Sequence, residues 1–434
     1  MANSLVNIFK TRDLRKRILF TLFILVIFRL GTNLIIPGID SRVLTAHFKA
    51  NAFASQMDFF VGGGFSKFSV FMLGVMPYIS TQILLQLSMI IFPGLKKIAE
   101  EDGGKRKIQK WTRIATVFVA LLQSTAAVTY AGRVPGAVIN PGFMHVFVTL
   151  TTVTTGTMIT LWLGEQITAR GIGNGISLLI FAGIVARMPV AIWRLIKKVR
   201  LGELNLVFVV LAFLMFVAII VLVIYEQQGQ RKIPVHYAKR VVGRKMYGGQ
   251  STYIPFKINP SGVMPVIFAS SFLMFPMQLT RMFAGSAKWV RFLGENIFDP
   301  TKLAYILIYV GLIVLFAYFY TQITLNPTEI AKQIRENGGS IPGIRTDRTE
   351  EYLQRILNRL IFPGAIYLAV IAVLPTLIEL GLNFPPEVAH LMGGTSLLIL
   401  VGVDLDTMAQ VESQLKMHHH EGLVKKGRLR GRNL

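Results

Sequence analysis

Acidic residues close to long apolar runs are the first candidates for chemistry in this sequence. Glu165, Asp404 and Asp406 occupy such positions, and a carboxylate held inside a membrane is typical of a proton relay. Capping at the membrane interface, or pairing with arginine, is the alternative for the same acids. The histidines of residues 418–420 have no further ligands nearby, so a solvated tail is favoured over a metal site.

Two other polar residues lie inside apolar runs. Arg29 follows most of the first run, where its side chain is expected to snorkel to the outer interface. Gln123 lies in the third run, where it either forms an interhelical hydrogen bond or lies at a seam that opens.

No enzyme motif accompanies these residues. The sequence has no His-Glu-x-x-His motif, no phosphate loop and no Gly-x-Ser-x-Gly nucleophile elbow. It also has no cysteine, which excludes disulfides, thiolate zinc sites, iron–sulfur clusters and cysteine nucleophiles. We therefore expect no catalytic residue, no cofactor and no metal.

The apolar runs that carry these residues indicate the class of protein. Of the 434 residues, 53% are hydrophobic and only 16% are charged, whereas soluble domains average about 25% charged residues. Residues 206–225 and 303–328 contain no charged side chain, and about 20 apolar residues in a helix cross the hydrocarbon layer of a bilayer. The sequence therefore predicts an all-α polytopic membrane protein.

Ten apolar runs are predicted to cross the membrane as helices. They are residues 18–36, 75–92, 114–131, 144–164, 174–188, 205–225, 261–279, 303–323, 360–378 and 393–411, with ends given to within a few residues. The first run is long enough to span and lacks a small-residue cleavage site, so no cleavable signal peptide is predicted.

Lysine and arginine residues set the predicted orientation. The net charge is +24, from 46 basic and 22 acidic residues, and it favours nucleic acid or an anionic membrane surface as a partner. Basic residues cluster near both termini, which are therefore expected in the cytoplasm. The two long loops, residues 226–260 and 326–359, then face the cytoplasm as well. A basic outer loop at residues 194–200 departs from this rule.

Two short motifs recur five spans apart. Residues 74–79 (Gly-Val-Met-Pro-Tyr-Ile) recur as residues 262–267 (Gly-Val-Met-Pro-Val-Ile), at the start of spans two and seven. Residues 175–180 recur as residues 394–399, at the start of spans five and ten. Either match alone is within reach of chance, but the common spacing favours an internal repeat. Because five is odd, the second copy is inverted.

An inverted repeat of five plus five spans is a transport architecture with its pathway at the repeat interface. We predict an N-terminal half over residues 1–200 and a C-terminal half over residues 201–434. Spans five and ten also begin with glycine clusters, and short or broken helices in matching positions are typical of such a pathway. Close packing of small residues is the alternative for these glycines.

Four isoleucines occupy equivalent positions of the two copies: Ile79, Ile180, Ile267 and Ile399, with Val75 one turn from Ile79. If they converge, they form an apolar constriction that dewets and blocks ions but yields to a bulky passenger. An ion-coupled carrier would instead need carboxylates or unwound carbonyls at this level. For any one of these residues, ordinary packing against lipid or core is the alternative.

The segment before span two, residues 60–71, is half apolar, contains three consecutive glycines and is too short to cross the membrane. We expect it either to be re-entrant and to cover the pathway from outside, or to form a helix at the interface.

Several motifs together resemble the SecY family of protein-translocation channels, also called the SecY/Sec61-alpha family. They are residues 76–80 (Met-Pro-Tyr-Ile-Ser), 163–168 (Leu-Gly-Glu-Gln-Ile-Thr), 170–177 (Arg-Gly-Ile-Gly-Asn-Gly-Ile-Ser), 237–240 (Tyr-Ala-Lys-Arg), 342–345 (Pro-Gly-Ile-Arg) and 393–399 (Gly-Gly-Thr-Ser-Leu-Leu-Ile). The match covers nearly the whole chain. The departures are Asp404 beside Asp406 and the basic outer loop.

The resemblance implies a clamshell of two inverted halves around an hourglass channel. Its waist, the pore ring, is Val75, Ile79, Ile180, Ile267 and Ile399. A short helix over residues 60–73 is the plug, with Phe60, Gly62, Gly63, Gly64, Phe65, Ser66, Phe68, Ser69 and Phe71. The lateral gate opens between spans two and three and between seven and eight, at Ser80, Gln123, Ser271 and Phe275.

The resemblance also implies a function and partners. Such a channel passes unfolded secretory polypeptides across the bacterial cytoplasmic membrane and releases apolar segments sideways into the bilayer. The implied partners are the subunits SecE and SecG, the SecA ATPase, the ribosome, signal sequences and nascent polypeptides, SecDF, YidC and membrane lipids. The basic loop residues that would bind SecA or the ribosome are Lys239, Arg240, Arg244, Lys245 and Arg345, with a role only in topology as the alternative. An ion-coupled carrier and an intramembrane enzyme are the other classes of function considered.

Overall fold

The computed structural model describes residues 11–49, 58, 61–101, 103–202, 206–237, 240–242, 245–247, 251–282, 288–299, 302–382 and 394–426. Among these residues, six helices are long and apolar enough to cross a membrane, or seven if one bent pair of helices counts as a single span. The predicted class, a helical multi-pass membrane protein, is confirmed.

Fourteen helices are described, together with a short 3-10 turn and five strands. The helices are α1 (Arg12–Gly31), α2 (Ser41–Lys49), α3 (Met76–Ile91), α4 (Pro93–Glu100), α5 (Gly104–Gly132), α6 (Phe143–Arg170), α7 (Gly175–Arg200), α8 (Leu206–Gln228), α9 (Met264–Met282), α10 (Lys288–Asn296), α11 (Leu303–Thr324), α12 (Pro327–Glu336), α13 (Thr349–Leu382) and α14 (Gly394–Lys426). The strands are β1 (Gln230–Tyr237), β2 (Arg240–Val242), β3 (Lys245–Tyr247), β4 (Ser251–Lys257) and β5 (Gly339–Ser340).

Each of the ten predicted spans overlaps one helix, namely α1, α3, α5, α6, α7, α8, α9, α11, α13 and α14. Within the described residues, α1, α9 and α14 are not among the helices that are long, apolar and free enough of charge to span a membrane, and α3 qualifies only together with α4. The ten-span count therefore stays a prediction.

The chain divides into two compact units, Met1–Lys197 with Ile399–Leu434, and Lys198–Leu398. The first boundary lies close to the predicted one at residue 200. The segment Ile399–Leu434, however, groups with the first unit, whereas the sequence analysis assigned it to the C-terminal half. The two predicted inverted halves stay a prediction.

The predicted basic outer loop at residues 194–200 is the end of helix α7 and not a loop. Hydropathy detects only the apolar part of a helix, whereas lysine and arginine are good helix formers and allow α7 to continue past its apolar segment. The helix ends at Arg200, two residues before Gly202, which has a φ of 72° that favours glycine.

A sharp bend separates α3 from α4. The two helices meet at 104°, and Phe92 between them is extended, with φ −111° and ψ 97°. Proline disfavours helical geometry in the residue before it but is accommodated in the first helical turn. Pro93 therefore ends one helix and begins the next.

The two predicted cytoplasmic loops contribute strands to one small sheet in the second unit. Strand β1 pairs with β4 and with β5, all antiparallel, and β2 pairs with β3 in a separate hairpin. Side chains alternate along β1, with Ile233 and Val235 buried between exposed neighbours. These two pack in a cluster with α12 and the start of α13, including Ile334 and Leu353. The sequence analysis did not predict this sheet.

Candidate pore and plug

All five residues of the predicted pore ring are buried. Ile79, Ile180, Ile267, Ile399 and Val75 are each no more than 5% exposed. Many other large apolar side chains of the spans are well exposed, as expected for a surface that lipid would cover. Burial therefore separates the ring residues from that surface. Their convergence on one axis stays a prediction.

The four isoleucines lie at matching positions of paired helices. Ile79 is the fourth residue of α3, and Ile267 is the fourth residue of α9. Ile180 is the sixth residue of α7, and Ile399 is the sixth residue of α14. The repeat predicted from the sequence therefore extends to the points at which these helices begin.

A glycine and a proline begin α3 and α9 in the same way. Gly74 and Gly262 have φ of 52° and 58°, a left-handed conformation that favours glycine. Pro77 and Pro265 follow as the second helical residue, where the missing N–H leaves no hydrogen bond unmade. The Gly-Val-Met-Pro motif thus determines where each helix begins, and with it the position of the isoleucine two residues after the proline.

Of the predicted plug, residues 60–73, the structure describes residues 61–73. Residue 61 is helical, but residues 62–75, called the plug segment from here on, are not the short helix that the resemblance implied. The plug segment forms consecutive turns with one isolated β-bridge. Gly62, Gly63 and Phe68 explain the difference, because their φ angles of 71°, 96° and 53° are left-handed and do not occur in a right-handed helix. Phe60 lies outside the described residues.

Most side chains of the plug segment are buried. Among the predicted plug residues, Gly62, Gly64, Phe65, Phe68, Ser69 and Phe71 are buried, and Gly63 and Ser66 are half-buried. The segment also makes backbone hydrogen bonds to the chain that follows α1: the Val70 N–H donates to the Leu34 carbonyl (2.8 Å), and the Ile36 N–H donates to the Phe68 carbonyl (3.2 Å). The segment is therefore a packed part of the first unit, as a re-entrant segment would be.

Three helices of the first unit contact the plug segment through glycines. A Cβ on Gly31 of α1 would overlap the Phe71 ring, and a Cβ on Gly156 of α6 would overlap the plug backbone. A Cβ on Gly62 itself would lie 2.6 Å from the Cα of Gly183 in α7. Small residues at these points allow a close approach that larger side chains would prevent.

Charged residues also fix this segment. Asp58, which precedes it, is 3% exposed, and its Oδ2 lies 3.4 Å from Nη2 of Arg187 in α7. Its Oδ1 accepts a hydrogen bond from the Ser66 N–H (2.9 Å). Arg29 of α1 was expected to snorkel to the outer interface, but its guanidinium donates a hydrogen bond to the Gly62 carbonyl (2.5 Å).

The sequence analysis missed Asp58 and Arg187. Arg187 lies inside the predicted fifth span, and a charge inside a span indicates function by default, so this signal was available. Asp58 lies just outside the predicted plug, in a segment without a helical or strand period, and no sequence signal connects it with Arg187.

The predicted lateral-gate residues belong to two helix pairs. Ser80 is half-buried on α3 and Gln123 is buried on α5, which packs against α3. Ser271 is buried on α9, which packs against α11, and the Phe275 side chain lies outside the described part. The Gln123 Oε1 and the Ser271 Oγ have no hydrogen-bond partner among the described residues. Buried polar atoms of this kind carry a desolvation cost that a polar partner or water relieves.

The acidic residues near the apolar runs are paired or exposed. Glu165 of α6 forms an ion pair with Arg113 of α5, with 2.8 Å between Nε and Oε1. Of the alternatives considered for this acid, pairing with arginine is therefore the one observed. Asp404 and Asp406 of α14 are exposed. Among the described residues, no group of three histidines or acids is arranged to hold a metal ion.

Three of the five predicted partner-binding residues lie within the described part of the chain. Arg240 begins β2 and Lys245 begins β3, while Lys239 and Arg244 lie outside the described residues. Arg345 is exposed and directly precedes the 3-10 turn Thr346–Arg348. Further exposed cations, which the sequence analysis did not single out, lie on the hairpin of β1 and β4: Arg231, Lys232 and Lys257.

These features define a helical multi-pass membrane protein with a buried, non-helical segment between its first two predicted spans. The sequence profile of the SecY family matches residues 69–408. The chain belongs to the SecY family. Membership confirms the resemblance and confirms that the chain is a channel subunit and not an enzyme.

Relatives and solved structures agree with this assignment. The protein translocase subunit SecY of Borreliella burgdorferi is 44% identical over 421 residues, which are 96% of each chain. A SecY structure described for a plug domain that stabilises the closed state of the translocation channel shares the fold, with a TM-score of 0.66, 17% identity and 92% of each chain covered. Sec61 in the canine ribosome-channel complex shares it too, with a TM-score of 0.60, 15% identity and 92% of each chain covered.

Proposed function

We propose that the chain forms the channel through which unfolded secretory polypeptides cross the bacterial cytoplasmic membrane, and that apolar segments leave it sideways into the bilayer. The observation that carries the proposal is the buried plug segment, packed by α1, α6 and α7 directly before Ile79 in α3. A segment of this kind, next to a ring of apolar side chains, suits a channel that is closed at rest.

The pore ring conducts a chain without binding it. Branched apolar side chains offer no hydrogen bond to a passenger, and a narrow apolar constriction excludes water and ions when no polypeptide fills it. A passenger displaces the plug segment, and the ring then closes around the passenger.

The lateral gate sorts passengers by hydropathy. Transfer of a segment into lipid gains about 0.8 kcal/mol per buried CH₂, whereas a charged residue at the bilayer centre costs about 2.5–3.5 kcal/mol. The unpaired polar atoms of Gln123 and Ser271 weaken the packing of their helices, which suits a seam that opens. An ion-coupled carrier would instead depend on Asp404 and Asp406, and both of these residues are exposed.

Energy comes from partners, because the sequence has no phosphate loop. The ribosome and the SecA ATPase dock at the hairpin of β2 and β3 and at Arg345, where basic residues attract RNA phosphates and acidic protein surfaces. SecE and SecG complete the channel, and both termini lie in the cytoplasm. Sec61, whose fold this chain shares, was solved in a complex with the ribosome, which supports the ribosome as a partner.

Reconstitution tests the proposal. The chain is purified with SecE and SecG and placed in liposomes with SecA, ATP and a secretory precursor, and protease-protected precursor is measured. We expect protection that requires both ATP and the signal sequence. A precursor without its signal sequence is the control. Absence of protected precursor with all components present would contradict the proposed function.

A further inference from the structure

The plug segment is held by polar contacts as well as by packing, and one acid makes several of them. The two carboxylate oxygens of Asp58 have separate partners: Oδ1 accepts the Ser66 N–H (2.9 Å), and Oδ2 faces Arg187 Nη2 (3.4 Å). The Asp58 carbonyl also accepts the Gly63 N–H (3.0 Å). Asp58 therefore ties both the start and the middle of the plug segment to helix α7.

A second arginine completes the cluster from another helix. Arg29 of α1 donates a hydrogen bond to the Gly62 carbonyl, and its charge is repelled by Arg187 and attracted by Asp58. Arg187 pairs with the Asp58 carboxylate from α7, while Arg29 binds the backbone of the plug segment from α1. The plug segment cannot move from α1 and α7 without breaking these contacts.

Because the cluster is buried, breaking its ion pair is expected to cost more free energy than breaking an exposed pair. Asp58 is 3% exposed, and the side chain of Arg187 is only 22% exposed. Removing one member of a buried ion pair leaves an uncompensated charge, which is far more unfavourable than the loss of a pair in water. Apolar contacts of the plug phenylalanines, in contrast, have no required partner and can be replaced by contacts with other apolar groups.

We propose that Asp58, Arg187 and Arg29 form a latch that positions the plug segment in the resting channel, and that this latch, more than the packing of the phenylalanines, sets how tightly the channel is closed. The inference rests on the proposed function. Asp58 is a positioning residue: it holds the plug segment and has no contact with a passenger.

Ion conductance tests the latch. The chain is purified with its partner subunits, inserted into planar bilayers, and its resting conductance is measured without passenger. Asp58→Asn keeps the shape of the side chain and an oxygen for the Ser66 N–H but removes the charge. We expect Asp58→Asn and Arg187→Gln each to raise resting conductance by about tenfold, because each leaves a buried charge without its partner. The double variant should not exceed the single ones, because both changes remove the same interaction.

The ion pair between Arg113 and Glu165 supplies a matched control. Its Nε and Oε1 atoms lie 2.8 Å apart, and it joins two helices of the same unit. Within the described part of the chain, it makes no contact with the plug segment. Arg113→Gln is expected to leave resting conductance at the wild-type value. If Asp58→Asn and Arg187→Gln behave like Arg113→Gln, the latch is wrong.

A chemical probe reports on plug position directly. The chain has no cysteine, so Ser66→Cys introduces a single thiol into the half-buried part of the plug segment. We expect a membrane-impermeant maleimide to label this thiol at least several times faster when Asp58→Asn is also present. Arg187→Lys, which retains the charge, should restore slow labelling relative to Arg187→Gln. Equal labelling rates in all backgrounds would overturn the proposal.

Translocation of a secretory precursor by the wild-type channel separates a failure of the latch from a failure of the proposed function. If the wild type translocates and the latch variants neither leak nor label faster, the latch fails and the proposed function stands. If Asp58→Asn does not accumulate in the membrane, the conductance and labelling of Arg187→Gln are compared with those of the wild type instead. If the wild type does not translocate, the proposed function fails whatever the conductance.

Discussion

At the scale of single residues, burial distinguishes the predicted pore ring from the exposed apolar side chains of the predicted spans. Ile114 of α5 is 49% exposed, whereas Ile79 and the other ring residues are at most 5% exposed. Burial has a second explanation, because ordinary core isoleucines are buried as well. A substitution that removes methyl groups separates these explanations.

We expect Ile79→Ala to raise resting ion conductance several-fold, because a smaller side chain widens the dewetted constriction. The free energy of unfolding should fall by less than the roughly 2–5 kcal/mol that a tightly packed core isoleucine loses. Planar-bilayer conductance and thermal unfolding in detergent measure the two effects. Ile114→Ala, at an exposed position, is the control and should change neither. Wild-type conductance combined with a full core-sized loss of stability would assign Ile79 to packing.

The matching positions of the four isoleucines in their helices were predictable from the sequence because they repeat at fixed positions of recurring motifs. The contacts of Arg29 were not, since a charge near the end of an apolar run is equally compatible with snorkelling and with a tertiary hydrogen bond. Asp58 was not predictable either, because its partners Arg187 and Ser66 are set by the tertiary fold and not by sequence spacing.

At the scale of elements, hydropathy located a helix for each of the ten predicted spans but not the structure between them. The sheet was missed because its apolar alternation is short: Ile233 and Val235 in β1 lie in a basic segment, and β5 has only two residues. The turns of the plug segment were missed because Phe68 adopts a left-handed conformation that its residue type does not indicate. Tertiary packing decides both features.

The glycines that contact the plug segment make a prediction at this scale. We expect Gly156→Ala to destabilise the protein by about 1–3 kcal/mol, because the added methyl group overlaps the plug backbone and forces overpacking. Gly311→Ala in α11 is the matched control: its Cβ would meet nothing within 4 Å, and alanine in a helix should stabilise by about 0.5–1 kcal/mol. Thermal unfolding in detergent measures both. An equal response of the two variants would contradict the close packing of α6 on the plug segment.

At the scale of the whole molecule, the proposed function divides the chain into a passive membrane part and a basic part that would recruit partners. The membrane part carries no nucleotide motif, and the small sheet in the second unit, with α12 and the start of α13, presents exposed cations such as Lys232 and Arg345. If the membrane part is a passive channel, the translocating polypeptide must pass between the four isoleucines of the predicted pore ring.

Disulfide cross-linking of a passenger tests this claim most directly. Because the chain has no cysteine, single thiols can be introduced as Ile79→Cys, Ile180→Cys, Ile267→Cys and Ile399→Cys, with Ile114→Cys as the lipid-facing control. A secretory precursor with one cysteine is arrested during translocation and oxidised. The account predicts that all four ring positions cross-link to the arrested chain and that the control does not. Cross-links at the control position with none at the ring would contradict it.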